Sequence, residues 1–372
     1  MKIKDICDLQ NGRAFKPSDW GTAGLPIIRI QNLNDERAPF NYYGGKYNLA
    51  QEVDNGDLLF SWSGTPGTSF GAFLWNRGKG VLNQHIFKVI PKVEVDRTYL
   101  MYALNGNIST IISKAHGGVG LQHITKKELD EIEIQMVSIS RQKKIVEILE
   151  KISLLIFLRK QQLAKLDELI KARFVEMFGD ISNSRKVPMQ DVCKIITDGT
   201  HQPPKFVLSG IPFLFVSNIV TNEIHYDAEK FISEETYNEL IKRTPIEVGD
   251  VLLSTVGSYG HPAVVKENKP FCFQRHIAYL KPNNSVVNSE YLRCAILSTD
   301  LQRQIDESVK GIAQKTLNLS EIRKLRLPLP SLSLQNQFAA FVERVDQQKQ
   351  TVQQSLEKLE LMKKALMQEY FG

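Results

Sequence analysis

The 372-residue chain lacks most of the signatures that mark an enzyme or an exported protein. Its four cysteines form no Cys-x-x-Cys pair, so neither a zinc site nor a disulfide framework is indicated. No run of about 18 apolar residues argues for a membrane span, and the opening MKIKDICDLQ has no signal-peptide core. These absences predict a cytoplasmic protein with reduced thiols.

Catalytic and cofactor motifs are equally scarce. An adenine methyltransferase would need an Asn/Asp-Pro-Pro-aromatic motif, but the single Pro-Pro pair, Pro203-Pro204, follows a glutamine. The Gly-rich stretch SGTPGTSFG lacks the lysine of a phosphate-binding loop, and GGVGLQ lacks the third glycine of a dinucleotide fingerprint. We therefore expect no cofactor, no resident metal and no catalytic residue.

What the chain does contain is a long internal repeat. Matching phrases recur in the same order, shifted by 186 to 193 residues. The pairs are LPIIRIQNL (25–33) with IPFLFVSNI (211–219), NGDLLFSWSG (55–64) with VGDVLLSTVG (248–257), GVGLQHITKKELDEIEI (118–134) with GIAQKTLNLSEIRKLRL (311–327), and Phe178-Gly179 with Phe371-Gly372. The chain is therefore one unit of about 190 residues duplicated in tandem.

Each unit has two parts of different character. Residues 1–140 and 180–333 alternate short β-rich runs with Gly, Pro and Asn turns, as a mixed α/β domain does. Residues 141–178 and 334–371 contain no Gly or Pro and are rich in helix formers. Ser140 and Ser333 stand where N-caps are expected, and glycines follow at 179 and 372. We predict long helices over 141–179 and 334–372.

Both helical stretches carry a heptad pattern of apolar residues. Its members are Ile145, Leu149, Ile152, Ile156, Leu163, Leu166, Ile170 and Met177, then Phe338, Val342, Val345, Val352, Leu356, Leu359, Leu366 and Tyr370. Such seams require a partner helix. The simplest fold is α+β, with two pseudo-symmetric mixed domains and two helices of about 55 Å that pair as a spacer. The alternative is that each helix packs only on its own domain.

Two similar domains on a spacer suit a two-part target. A DNA duplex presents equivalent faces about 34 Å apart, and a net charge of +6 permits nucleic-acid binding. Because the two domains differ in sequence, we expect them to recognise different half-sites and hence an asymmetric target.

The order of mixed domain, long helix, mixed domain and long helix, with the paired phrases GDLLFSWSG and GDVLLSTVG and a Phe-Gly after each helix, resembles the specificity subunit of a type I restriction-modification enzyme. The resemblance covers essentially the whole chain. It implies two target recognition domains (1–140 and 180–333), each reading half of a split DNA sequence. It also implies an antiparallel coiled coil that docks two adenine methyltransferase subunits, to which restriction/translocase subunits add, and a chain without catalytic activity of its own.

Contacts with DNA are expected from the turn-rich loops, because Lys and Arg bind phosphates and polar side chains read base edges. In the first domain the candidates are Arg13, Lys16, Arg29, Gln31, Asn32, Ser63, Thr65, Ser69, Lys114, His116, Gln122 and His123. In the second they are Thr200, His201, Lys205, Ser217, Asn218, Ser258, Tyr259, His261, Lys310, Gln314 and Lys315. The shared His85 and His276 lie within predicted β runs and are expected to be structural.

Two other functions stay open. Asp250, Glu267 and Lys269 faintly resemble an Asp…Glu-x-Lys metal site of a DNA nuclease, but the matching Asp57 has no Glu after it. Both aspartates fit better as turn residues. The third possibility is a coiled-coil scaffold that binds proteins and no DNA.

Overall fold

The computed structural model describes residues 1–65, 69–118, 121–179, 186–311 and 315–372. The chain divides into two compact units. Unit 1 contains residues 1–160 and 354–372, and unit 2 contains residues 161–353. Each unit thus combines one mixed domain with segments of both long helices. We call residues 1–138 the first head and residues 186–331 the second head.

The first head is built from short strands and helices joined by turns. Its helices are α1 (Ile3–Ile6), α2 (Ile30–Asn34), α3 (Arg97–Gly106), α4 (Ile108–Ser113) and α5 (Lys126–Asp130), with 3-10 turns at Pro17–Asp19 and Leu49–Gln51. Its strands are β1 (Cys7–Asn11), β2 (Leu25–Ile28), β3 (Asn41–Tyr43), β4 (Glu52–Val53), β5 (Leu58–Ser61), β6 (Ser63–Gly64), β7 (Gly71–Leu74), β8 (Gly80–Leu82), β9 (Ile86–Pro91), β10 (His116–Gly118) and β11 (Leu121–His123). The long helix α6 (Ile139–Phe178) follows.

The second half has the same plan. Its helices are α7 (Met189–Val192), α8 (Glu234–Leu240), α9 (Ser289–Ile296), α10 (Thr299–Ser308), α11 (Leu319–Lys324) and the long α12 (Leu332–Phe371), with a 3-10 turn at Val216–Asn218. Its strands are β12 (Lys186–Pro188), β13 (Cys193–Asp198), β14 (Phe206–Val207), β15 (Ile211–Leu214), β16 (Phe231–Ile232), β17 (Val251–Ser254), β18 (Pro262–Val264), β19 (Cys272–Phe273), β20 (Ile277–Pro282) and β21 (Arg326–Pro328).

The main sheet is repeated in the two heads. An antiparallel sheet of order β1-β9-β5-β7 in the first head corresponds to β13-β20-β17-β18 in the second. A second sheet contains the parallel pair β2/β8 in the first head and β15/β19 in the second. The first pair of the ladder is equivalent, since Cys7 pairs with Pro91 and Cys193 with Pro282, but in the second head the register shifts by one residue between Cys193 and Ile195. The duplication seen in the sequence is therefore a duplication of fold.

The long helices form because 40 consecutive residues in each favour helix and carry an apolar seam. Both begin earlier than predicted. Ser140 and Ser333 lie inside the helices, so their assignment as N-caps was wrong. The capping role falls two residues earlier, where Ser331 Oγ accepts from the backbone N–H of Leu334 at 3.4 Å.

Within each unit the two helices run antiparallel. In unit 2, Lys349 pairs with Asp167 at 2.8 Å, and the Phe178 ring lies 5.4 Å from that of Phe338, so residue numbers fall along one helix as they rise along the other. In unit 1, Lys160 pairs with Glu360 at 2.9 Å. The predicted pairing of the two helices is confirmed. The ends of the helices also pack on the heads.

Those helix ends complete the cores of the heads. In unit 1 the core around Tyr99 includes Leu149 of α6 and Phe371 of α12. In unit 2 the core around Tyr291 includes Phe338 of α12 and Phe178 of α6. Each head thus packs against the start of one long helix and the end of the other. This shared burial fixes which helix ends belong to which unit.

A buried glutamine near the start of each long helix ties it to the head. Gln142 Oε1 accepts from the N–H of Asp96, the N-cap of α3, at 2.9 Å, and its Nε2 donates to Val137 O at 2.8 Å. Gln335, 193 residues later, accepts from the N–H of Asn288, the N-cap of α9, at 2.8 Å. Both side chains are almost fully buried. They therefore fix the entry of each helix by hydrogen bonds rather than by apolar packing alone.

The four cysteines are unpaired. Burial raises the pKa of Cys7, Cys193 and Cys272 to about 12 and that of Cys294 to about 11, so their thiols are protonated at neutral pH. Among the described residues, no helix combines the length and the apolar character that crossing a membrane requires.

Candidate nucleic-acid interface

The loops that carry the predicted DNA-binding residues of the first head meet at one edge of its sheets. The backbone N–H of Arg13 donates to Leu82 O at 2.8 Å, and that of Asn83 donates to Ile28 O at 3.0 Å. Three loops that are distant in the sequence are therefore neighbours.

Two further segments join this edge through Trp62. Its N–H donates to His85 O at 3.2 Å, and its carbonyl accepts from the N–H of Ile124 at 3.1 Å. Gly64 pairs with Gln122 across an antiparallel ladder. We call the combined surface the first loop face. It comprises residues 12–16, 29–32, 62–65, 83–85, 116–118 and 121–123.

The second head repeats the same backbone connections. The corresponding bonds are Thr200 N–H to Phe273 O (3.1 Å), Gln274 N–H to Leu214 O (3.2 Å), Thr255 N–H to His276 O (2.9 Å) and Leu317 N–H to Thr255 O (2.8 Å). The resulting second loop face comprises residues 199–205, 215–218, 255–261, 274–276, 310–311 and 315–317. Because the framework is shared, differences between the faces lie in their side chains.

Cationic side chains frame the first loop face. Arg13 donates to the hydroxyl of Tyr43 at 2.7 Å and lies 4.8 Å from the centroid of its ring, so its guanidinium is held in place. The Arg29 guanidinium lies 5.2 Å from the ring centroid of Trp20. Lys16 and Lys114 are exposed. Such groups can bind phosphate oxygens or base acceptors.

The neutral candidates of this face differ in accessibility. Gln31, Thr65 and His123 are exposed, whereas Ser69 and Gln122 are half-buried. Gln122 Oε1 is buried and has no hydrogen-bond partner in the part of the chain that is described.

His116, although exposed, forms a hydrogen bond with Glu128 through its Nε2. Hydrogen bonds from Thr125 and from His116 lower the pKa of Glu128 to about 2, which keeps this carboxylate charged beside the imidazole. His116 must therefore exchange this partner, or share it, to contact DNA.

Two of the candidates serve the fold of their loops instead. Asn32 is 3% exposed, accepts from the N–H of Arg29 at 3.1 Å and donates to Ala38 O at 3.2 Å. Asn218 forms the matching bonds, accepting from Phe215 at 2.9 Å and donating to His225 O at 3.2 Å. The amide groups of Asn32 are buried and already bonded within the first head, and contact of Asn32 with DNA stays a prediction.

Ser63 is 8% exposed and lies in the β6 strand, where it pairs with His123. Its contact with DNA stays a prediction.

The second loop face is rich in exposed polar groups. Lys205, Ser217, Ser258, Lys310 and Lys315 are exposed, and Gln314 lies outside the described residues. Thr200 Oγ1 donates to Gln202 O at 2.9 Å.

Three further candidates on this face differ in their hydrogen-bond partners. His201 Nε2 lies 2.9 Å from Asp198 Oδ2, a carboxylate that Arg243 also binds. Tyr259 donates to Asp306 at 2.9 Å. The half-buried His261 has an Nδ1 with no partner among the residues described. Contact with DNA stays a prediction for each of these side chains.

Sequence reasoning missed several residues that the fold brings to these faces. Trp62 donates from Nε1 to Asn11 Oδ1 at 3.1 Å, and its ring lies 5.2 Å from that of His85. Arg243 reaches the second face through Asp198. His85 was expected to be structural, yet its Nδ1 has no hydrogen-bond partner within the described ranges. The sequence did offer one indication that His85 matters, because the repeat contains a histidine, His276, at the equivalent position.

The aspartates of the nuclease alternative are turn residues. Asp57 Oδ2 accepts from the N–H of Asp54 at 2.9 Å and pairs with Lys88 at 2.7 Å. Asp250 Oδ2 accepts from the N–H of Glu247 at 2.8 Å and from the hydroxyl of Tyr279 at 2.7 Å. In the described part of the chain, no group of three or more His, Cys, Asp or Glu side chains is arranged to hold a metal ion.

Each unit therefore combines a head that has the same loop framework with segments of the two paired long helices. A family model for the type I restriction modification DNA specificity domain matches residues 1–168 and again residues 182–361. The chain belongs to this family. The resemblance predicted from the repeat and the helices is confirmed, and so is the α+β fold class.

Known specificity subunits are similar to this chain over most of its length. The chain is 23% identical over 378 residues to the type I restriction enzyme EcoBI specificity subunit of Escherichia coli, covering 93% of this chain and 78% of that one. It is 21% identical over 337 residues to the MjaVIII specificity subunit of Methanocaldococcus jannaschii, covering 85% and 78%.

Solved structures show the same fold. The S subunit of the type I restriction-modification system of M. genitalium aligns with a TM-score of 0.60 at 16% identity, covering all of this chain and 95% of that one. A chain from a structure describing complex assembly and conformational transition of the type I R-M system aligns with a TM-score of 0.61, also at 16% identity, covering 100% and 96%.

The chain is thus a specificity subunit, with a role in DNA sequence recognition within a type I restriction-modification complex and no catalytic role of its own. Its partners are DNA and the modification and restriction subunits of such a system.

Proposed function

We propose that the chain recognises a split, asymmetric DNA sequence, with one half-site for each head. In this proposal residues 1–140 and 180–333 are the two target recognition domains. Residues 141–179 and 334–372 are the helices that set a constant gap between the half-sites. The two adenine methyltransferase subunits bound to the chain methylate this target, and restriction/translocase subunits join them. The complex acts in the cytoplasm, where the DNA is.

The observation that carries the proposal is the contrast between the two loop faces. The same backbone bonds hold equivalent loops in both heads. The side chains on that framework differ: Arg29 and Gln31 of the first face correspond to Phe215 and Ser217 of the second. The two loop faces therefore share a backbone framework but carry different hydrogen-bond donors and acceptors. Such faces suit two half-sites of different sequence, because base edges are distinguished by their hydrogen-bonding pattern.

The helices offer a surface for the methyltransferase subunits. In unit 1, Leu154, Leu155, Phe157 and Leu158 of α6 are between 44% and 56% exposed. Four large apolar side chains within five residues of an exposed helix are typical of a protein-binding surface. We call these four residues the apolar helix patch and propose it as part of a docking site for a modification subunit.

The test is methylation mapping. The chain is co-expressed with its companion methyltransferase in a host without that activity, and modified adenines are mapped across the genome. A single split motif with a fixed gap supports the proposal. An unsplit motif, a variable gap, or no methylation by a complex shown to be assembled contradicts it.

A further inference from the structure

Two residues that line a small pocket on the first loop face each have a buried polar atom without a partner. The pocket has a volume of about 180 Å³ and is lined by Arg29, Ile30, Gln31, Asn83, His85 and Ile86. Arg29 Nε and His85 Nδ1 are buried and find no hydrogen-bond partner among the residues that the structure describes. An unpaired buried polar group is unfavourable, and two such groups on neighbouring lining residues of one pocket point to a ligand that supplies the missing bonds.

Both orphaned atoms are donors. The Nε atom of an arginine side chain is a hydrogen-bond donor and has no acceptor capacity. His85 Nε2 lies 3.1 Å from Gln84 Nε2. An amide nitrogen only donates, so His85 Nε2 is the acceptor and the ring proton is on Nδ1. Burial lowers the pKa of His85, which keeps the ring neutral near pH 7.

Two donors beside one pocket match a ligand edge that presents acceptors. In the major groove, guanine presents O6 and N7, both acceptors, whereas adenine presents one acceptor and one donor. A phosphate also offers acceptors, but only one of the two donors here is charged. The neighbouring Gln31 and Asn83 are neutral as well. A base edge therefore matches this pocket better than a phosphate does.

We propose that this pocket binds the O6/N7 edge of a guanine in the half-site of the first head, with Arg29 and His85 as the two donors. The inference rests on the proposed function, in which the first head reads one half-site. Trp20, whose ring lies 5.2 Å from the Arg29 guanidinium, acts as a positioning residue for that group. His85 is thereby a specificity-determining residue.

The second head provides an internal comparison. Phe215 takes the place of Arg29 and has no side-chain donor. His276 takes the place of His85, and its Nε2 lies 3.3 Å from Arg275 Nε. The pair of donors is therefore not reproduced on the second loop face, and we expect no guanine to be read at its equivalent position.

The test compares Arg29→Phe, Arg29→Lys and His85→Ala with the parent chain, each assembled with the modification subunits. Binding to a randomised DNA library and the methylation motif are both measured. Arg29→Phe introduces the residue of the second head, and Arg29→Lys keeps the charge but lacks the Nε donor. His276→Ala is the matched control.

We expect Arg29→Phe and His85→Ala to relax the same guanine position of one half-site by about 5- to 150-fold, the discrimination that a good bidentate pair provides. Arg29→Lys relaxes that position too, and the other half-site is unchanged. His276→Ala leaves this guanine position intact.

Three outcomes overturn the inference: a loss of affinity that is uniform over all sequences, which indicates a phosphate contact; relaxation at a position that is not a guanine; or relaxation of different positions by the two variants. A parent complex that yields no split motif overturns the proposed function itself. A split motif that the variants leave unaltered overturns only the guanine pocket.

Discussion

The ring of Phe178 packs edge-on against that of Tyr291 with centroids 4.9 Å apart, and the ring of Phe371 lies 5.3 Å from that of Tyr99. The two pairs are equivalent in the repeat. They explain why the same Phe-Gly ends both long helices. Each phenylalanine is 3% exposed and packs the end of its long helix into the core of a head.

Replacing either phenylalanine by alanine is expected to lower the free energy of unfolding by about 3–5 kcal/mol, because a buried ring is lost and a cavity remains. Hydrogen exchange should locate the loss of protection of Phe178→Ala in unit 2 and that of Phe371→Ala in unit 1. Phe157→Ala, which removes a ring that is 55% exposed, is the matched control. Equal effects of all three changes would contradict the assignment.

Gly106 makes the close approach of Phe371 possible. A β-carbon at this position would lie 2.5 Å from Phe371 Cβ. The absence of a side chain here is therefore a requirement of the packing between α3 and the end of α12, both within unit 1.

Gln142→Ala and Gln335→Ala should each destabilise the chain by about 1–3 kcal/mol, since each leaves a backbone N–H and a carbonyl at the head without their partner. Urea unfolding measures the effect. Gln348→Ala, on the exposed face of α12, is expected to be close to neutral. If all three substitutions changed the free energy of unfolding equally, the hydrogen bonds of Gln142 and Gln335 would not stabilise the attachment of the long helices to the heads.

Asp57→Ala and Asp250→Ala should both reduce stability, with Asp250→Ala having the larger effect. Asp250 is 4% exposed and accepts from Glu247 N–H, Tyr279 and Lys281, so its removal leaves buried donors unpaired. A thermal melt with and without magnesium is the measurement. Stabilisation of the parent chain by magnesium that disappears in Asp250→Ala would instead favour the metal-site alternative.

The apolar helix patch can be converted to the sequence that the repeat places at the equivalent positions. Leu154→Gln, Leu155→Gln, Phe157→Gln and Leu158→Thr together introduce the residues found at 347, 348, 350 and 351. We expect the affinity for the modification subunit to fall about tenfold or more, with the helical content unchanged. Native mass spectrometry of the assembled complex measures this. Unchanged affinity would exclude the patch as a docking site.

Lys16→Gln and Lys205→Gln should weaken DNA binding evenly across sequences, because exposed lysines contact phosphates. Each change is expected to reduce the slope of log affinity against log salt by about 1. Titrations at several salt concentrations test this, with Lys143→Gln on α6 as a control of equal charge. A changed recognition motif would show that the lysine contacts a base.

The sequence by itself determined the duplication, the two long helices and the family. These features depend on local patterns: a heptad seam, the absence of Gly and Pro over 38 residues, and phrases repeated in order. It also indicated which loops form the two faces, because turn residues separate the β runs. The sequence did not predict the exact starts of the long helices, because they begin at Ile139 and Leu332, before the serines Ser140 and Ser333 that were expected to be N-caps.

Only the tertiary structure decided which polar side chains face outward and which are consumed by the fold. Gln142 accepts a hydrogen bond from the backbone N–H of Asp96, 46 residues away, and the residues next to it in the sequence do not predict that bond. Asn32 and Gln31 are adjacent in α2, yet Asn32 is buried and Gln31 is exposed. His85 and Arg29 become partners in one pocket only when strands from separate parts of the first head align. Burial and hydrogen bonding of such groups depend on long-range contacts, and for that reason the sequence alone could not assign them.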